Sequence, residues 1–173
     1  EFKVKYSELT VRSAILYTPV AAKIILAAKE NGIANADKLL IQAITGQIQS
    51  TTHNLQNIRL VPIPSSKRSS RSRGRSFMVD IVEQISYQIG IPMLDCLELT
   101  GKTTDQTGLN RQQRLENMKG SMSMKTMARG ELILIDDVIT TGATLKEAAR
   151  ALNSQGFYAQ ISAITACVAQ PLR

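Results

Sequence analysis

The sequence predicts an α/β fold: a mostly parallel sheet flanked by helices. Short apolar runs rich in β-branched residues alternate with stretches of helical period, and proline, glycine or polar turns punctuate each change of period. The length of 173 residues and the ample apolar content suit a single domain with its own core.

The first third reads as helical. Thr18-Pro19 forms an N-cap and first-turn pair, Ala21, Ile24, Ile25 and Ala28 follow at helical spacing, and Gly32 supplies a stop. A second helix takes Asn35 as its cap and Ala36, Leu39, Leu40 and Ala43 as its apolar face, with Gly46 near its end. Residues 58–64 are a proline-bounded apolar run, predicted as a strand that ends at a basic loop. Met78, Ile81, Val82, Ile85 and Ile89 then form a helical stripe closed by Gly90 and Pro92, and a second strand is expected at 93–99. Residues 101–120 lack a sustained apolar period and read as a mobile polar loop or a short solvated helix. Residues 132–135 are a buried strand, Leu145, Ala148, Ala149 and Leu152 form the face of the helix after it, and 158–168 is the last strand. The expected organisation is one domain, with residues 1–57 as a helical N-terminal part and 58–173 as the core.

Composition narrows the function. No apolar run approaches the roughly 18 residues of a membrane span, and the N-terminus does not read as a secretory leader, so a cytoplasmic protein is expected. The chain opens at Glu1-Phe2 rather than at methionine, which leaves room for an element ahead of it. Cys96 and Cys167 lie far apart without a C-x-x-C and read as core thiols; His53, the sole histidine, sits in a polar connection. The net charge of +7 points to anionic partners, and Lys67, Arg68, Arg71, Arg73 and Arg75 crowd into one Ser-rich stretch. That stretch could be a solvated loop, a phosphate grip or a nucleic-acid contact, although no aromatic side chain is interleaved to stack bases.

The segment that carries chemistry is Leu132-Ile133-Leu134-Ile135-Asp136-Asp137-Val138-Ile139-Thr140-Thr141-Gly142-Ala143-Thr144. A buried strand delivers two carboxylates to its carboxyl end, where open α/β sheets keep their ligand crevice. Beyond them a small-residue turn opens a helix, exposing backbone N–H groups at the positive end of its dipole. Two carboxylates repel phosphate, so they should face hydroxyl donors such as those of a ribose, or a magnesium shell.

This string resembles the motif by which type I phosphoribosyltransferases bind 5-phosphoribosyl-1-pyrophosphate (PRPP). With Val61-Pro62-Ile63-Pro64, the basic stretch after it, and Gln106-x-x-Leu109 with Arg114 and Asn117, the chain resembles the ComF/GntX branch from about residue 60 onward. The four-cysteine zinc ribbon that opens many such chains has no counterpart within residues 1–173, and Arg73-Gly74-Arg75-Ser76 replaces the usual Arg-Gly-Phe-Asn. The resemblance implies a phosphoribosyltransferase that transfers the 5-phosphoribosyl group to a nitrogen acceptor and releases pyrophosphate. It assigns Asp136 and Asp137 to the ribose hydroxyls as catalytic residues, and Thr140, Thr141, Gly142, Ala143 and Thr144 to the 5-phosphate. Ser65, Ser66, Lys67 and Arg68 would form the pyrophosphate loop, and Lys102, Gln106, Arg111 and Arg114 a flexible loop over the reacting centre. Mg²⁺ would arrive with PRPP, with Asp136 or Asp137 as a contact, and the N-terminal helices would serve as the hood. The alternative is a non-catalytic PRPP- or nucleotide-binding accessory protein of competence, partnered by single-stranded DNA or a DNA-uptake helicase. A homo-oligomer is compatible with either reading.

Overall fold

The computed structural model describes residues 2–6, 9–51, 57–101, 118–154 and 160–169. At its start, two-residue alternation builds strands where a helical segment was expected. β1 (Phe2–Tyr6) pairs antiparallel with β2 (Leu9–Leu16), in which Leu9, Val11 and Ser13 are buried while Thr10, Arg12 and Ala14 are partly exposed. Helix begins only at α1 (Pro19–Lys29), where the Thr18 side chain accepts from the Ala21 N–H at 3.2 Å. In α2 (Ala34–Thr51), Asn35 lies inside the first turn rather than at the cap, and Gly46 is interior. Leu39 is half exposed, because Asp37 takes the inward position as the ion partner of Arg75, and Leu40, Ile41, Ile44 and Ile48 make the buried face.

β3 (Ile58–Pro62) ends near the predicted boundary and leads to α3 (Lys67–Arg73) and α4 (Phe77–Ile89). The strand expected at 93–99 divides. Met93 forms a single parallel bridge with Leu60 of β3, whereas β4 (Leu97–Leu99) turns away to pair antiparallel with β5 (Met122–Met124). β6 (Glu131–Ile139), α5 (Ala143–Asn153) and β7 (Gln160–Val168) complete the described elements. The main sheet has the order β1-β2-β7-β6-β3, in which β2, β7, β6 and β3 run parallel and β1 is an antiparallel edge.

Leu132, Ile133, Leu134 and Ile135 are all buried, as a central parallel strand covered on both faces requires. Ile133 and Ile135 pack under α1, α2 and α4, and Leu132 and Leu134 pack toward α5 and the β4–β5 pair. Gly130 starts β6 with φ of 95°, and a Cβ there would lie 2.6 Å from the Asn57 carbonyl oxygen. Cys96 and Cys167 are buried free thiols. Among the described residues no helix is long and apolar enough to cross a membrane.

Candidate functional site

A cleft of about 860 Å³ lies at the carboxyl ends of β3 and β6, lined by the residues that follow β3, by β6 itself and by the end of α1. β6 runs beyond residue 135 through both acids, since Asp136 pairs with Thr165 and Val138 with Cys167 on β7. Each carboxylate is folded back onto the chain that follows it. The Asp137 N–H donates to Asp136 Oδ1 at 2.9 Å, and the Val138 N–H donates to Asp137 Oδ1 at 2.8 Å.

The acids differ in their surroundings. Asp136 keeps part of its surface in the cleft, yet its carboxyl group is hemmed in by protein. That burial, with the charge of Asp137 beside it, pushes its pKa well above the ordinary carboxylate value against the opposing pull of Lys29. Asp137, 7% exposed, receives the Lys29 ammonium on Oδ2 at 2.6 Å.

Past the strand, Gly142 adopts the left-handed conformation (φ 73°, ψ 5°) and starts α5 without a side-chain cap. The Ala143 N–H donates to Thr141 Oγ1 at 3.3 Å, and a helix start of this kind, preceded by glycine, suits an anion. Asp136, Asp137 and Thr144 line the cleft; Thr140 is exposed, Thr141 partly so, and Gly142 and Ala143 are buried in the turn.

On the opposite wall, the stretch expected to be a basic loop is in part a seven-residue helix. Ser66 caps it, accepting the Ser69 N–H at 3.1 Å, and Gly74 ends it in the left-handed conformation. Ser65 and Ser66 line the cleft, together with Ser69, Ser72 and Arg73. Lys67 and Arg68 open α3, and their side chains lie outside the described residues, as do Lys102, Gln106, Arg111, Arg114 and His53. Two arginines of the cluster are engaged in ion pairs. Arg73 meets Glu30 at 3.3 Å, and Arg75 is bidentate to Asp37 at 2.8 and 2.9 Å while stacked 5.0 Å from the buried Phe77 ring.

The chain is similar to Competence protein F. That protein, from Haemophilus influenzae (strain ATCC 51907 / DSM 11121 / KW20 / Rd), is 31% identical over 103 residues, which is 56% of this chain. The match covers 44% of the relative, so the chain spans less than half of its length. This is a ComF-like relationship. No protein-family model matches the chain.

Lys29 is the site residue that sequence reasoning missed. In the sequence it is a basic residue in the last turn of an apolar helix, a placement that the helix dipole alone accounts for. Only the packing of α1 beside the end of β6 shows what its ammonium meets.

Proposed function

We propose that the cleft binds a phosphorylated ribose, PRPP or ribose 5-phosphate, and that the chain is a phosphoribosyltransferase of the type I kind. The observation that carries this reading is the pairing, on one strand–turn–helix unit, of two carboxylates with an uncapped helix N-terminus. The carboxylates suit hydroxyl donors and the N-terminus suits a phosphate, and a sugar phosphate presents both within one small molecule.

In this mechanism Asp136 and Asp137 orient the ribose, and the turn from Thr140 to Thr144 anchors the 5-phosphate. The bond between C1 and the pyrophosphate oxygen breaks with its electron pair going to pyrophosphate. The lone pair of an acceptor nitrogen forms the new C1–N bond, and the nitrogen's proton leaves to solvent. Orientation and charge stabilisation carry the rate, with Ser65 and Ser66 on the leaving-group side.

Asp136 and Asp137 line the cleft and are the carboxylates that would contact Mg²⁺ carried in on the pyrophosphate. Bound in that way it would neutralise charge on the leaving group.

The name of the relative favours a role in competence; in this second reading the chain is a PRPP- or nucleotide-binding accessory protein, with single-stranded DNA or a DNA-uptake helicase as its proposed partner. Calorimetric titration with Mg²⁺ and PRPP tests the shared premise, and absence of binding would overturn both readings. Pyrophosphate release that depends on one base or amine supports the transferase; binding without release across an acceptor panel supports the accessory protein. Within the site, Thr141→Val should weaken ribose 5-phosphate about ten- to a hundredfold, the cost of one hydrogen bond to a charged group. Asp136→Asn with Asp137→Asn should weaken ribose recognition but spare free phosphate, and Lys67→Ala should weaken PRPP far more than ribose 5-phosphate. Equal loss of both ligands in all three folded variants would sink these assignments.

A further inference from the structure

We infer that Lys29 is a positioning residue of the cleft: from the last turn of α1 it fixes the Asp137 carboxylate as a hydroxyl acceptor, and so sets discrimination between a ribose and its deoxy analogues. The inference rests on the reading of the acid pair as the hydroxyl-binding element.

The geometry separates the two acids. Asp137 is held at both oxygens, by the Val138 N–H on Oδ1 at 2.8 Å and by the Lys29 ammonium on Oδ2 at 2.6 Å. Those two donors define the plane of the carboxylate, and each oxygen keeps lone-pair capacity for a ligand hydroxyl. Asp136 accepts one backbone N–H on Oδ1. Lys29 is itself held, with its ammonium 5.8 Å from the centroid of the buried Phe77 ring. The next residue, Glu30, pairs with Arg73 on the facing wall, so the end of α1 is fastened to both sides of the cleft.

A purely structural bridge would not need to lie in the cleft. The Lys29 side chain is one-third exposed and borders the same space as both acids, whereas the Asp137 side chain is 10% exposed. A buried carboxylate beside a second one is strongly disfavoured in its charged form unless a cation compensates it, and Lys29 supplies that cation. Held by the Val138 N–H and the Lys29 ammonium, the Asp137 carboxylate offers a fixed acceptor to a ligand hydroxyl. Without Lys29, Asp137 Oδ2 loses the donor that fixes the plane of its carboxylate. One hydroxyl would lose its acceptor, while the phosphate-binding turn at residues 140–144 would be untouched.

The test is calorimetric titration of the full chain with ribose 5-phosphate, 2-deoxyribose 5-phosphate and 3-deoxyribose 5-phosphate. The parent should prefer the complete ribose over each analogue by about tenfold or more. Lys29→Met should bind ribose 5-phosphate about tenfold more weakly, leave one of the two analogues nearly unchanged, and so erase one preference. Lys29→Arg should restore part of it. If Lys29→Met retains both parental preferences, or loses all three ligands equally while remaining folded, the inference is overturned. Lys29→Gln carries the same comparison if the methionine variant does not fold. A parent chain that binds all three sugars equally, or none, overturns the hydroxyl reading itself and is recognised before any variant is made.

Discussion

β3 and β6 are neighbouring parallel strands that send helices away from the same cleft, and they finish those helices in opposite ways. At the start of α3 the Ser66 hydroxyl occupies the cap and binds the Ser69 N–H; at the start of α5 Gly142 stands in the left-handed conformation and offers no side chain. A helix end whose donors are met internally is a wall. The start of α5, where Thr141 Oγ1 also takes one N–H but a glycine stands beside two carboxylates, is under the proposed function the receptor for a ligand that carries both an anion and hydroxyls. The arginines follow the same division: Arg73 and Arg75, after the capped end, are tied to Glu30 and Asp37 and hold the N-terminal helices in place.

The strongest way to break this comparison is to disturb the strand pairing on which both junctions depend. Gly130→Ala places a Cβ 2.6 Å from the Asn57 carbonyl oxygen at φ of 95°, where the β3–β6 ladder begins. It should destabilise the fold by about 2–4 kcal/mol. Thermal unfolding followed by circular dichroism should show Tm lowered by roughly 5–15 °C, and an unchanged Tm would mean that this entry to β6 is not constrained.

A milder pair of changes separates wall from receptor. Ser66→Ala should cost about 1 kcal/mol, the ordinary value of a serine cap, and leave ribose 5-phosphate affinity within about threefold. Gly142→Ala should cost about 1–2 kcal/mol for the left-handed backbone and also weaken ribose 5-phosphate by about tenfold or more, because the turn that presents the N–H donors shifts. Equal effects of the two variants on binding would erase the distinction between the junctions.

The finest test is electrostatic. The pKa of Asp136 is raised by burial and by Asp137, so the folded chain keeps a proton that the unfolded chain has already lost. Stability therefore falls as pH rises from the ordinary carboxylate value toward the raised one. Asp136→Asn, which mimics the neutral form, should have a higher Tm than the parent at neutral pH, with the gap closing near about pH 3.5. A difference independent of pH would show that the carboxyl is not strained by its surroundings.

Where local chemistry decides structure, the sequence was readable. Thr18-Pro19 starts α1, Gly90 ends α4, and the run from Leu132 to Ile135 is buried in the centre of the sheet, because caps, glycine stops and all-apolar strands act within a few residues. The turn at residues 140–142 was legible for the same reason. β2 was not: its alternation of Leu9, Val11 and Ser13 is short, and its buried face includes a serine whose partner, Thr165, lies at the other end of the chain. Leu39 misled because Asp37 is buried by a long-range pairing with Arg75. Lys29 and the helical form of residues 67–73 were hidden alike, since the first depends on tertiary contact and the second on a serine cap within a stretch dominated by charge.

The pairing of β2 with β7 also dictates the order in which the protein can be completed. Ser13 and Thr165, 152 residues apart in sequence, meet at 2.6 Å across that ladder, and Asp136 is paired with the same Thr165 from the other side. Such distant contacts are slow to form, because a long stretch of chain must be closed before any of their energy is gained. During synthesis β2 leaves the exit tunnel before β7 and keeps one unpaired edge until β7 has been made. The strand carrying Asp136 and Asp137 obtains its second neighbour only at that moment, so the cleft at its end takes shape only once β7 is in place.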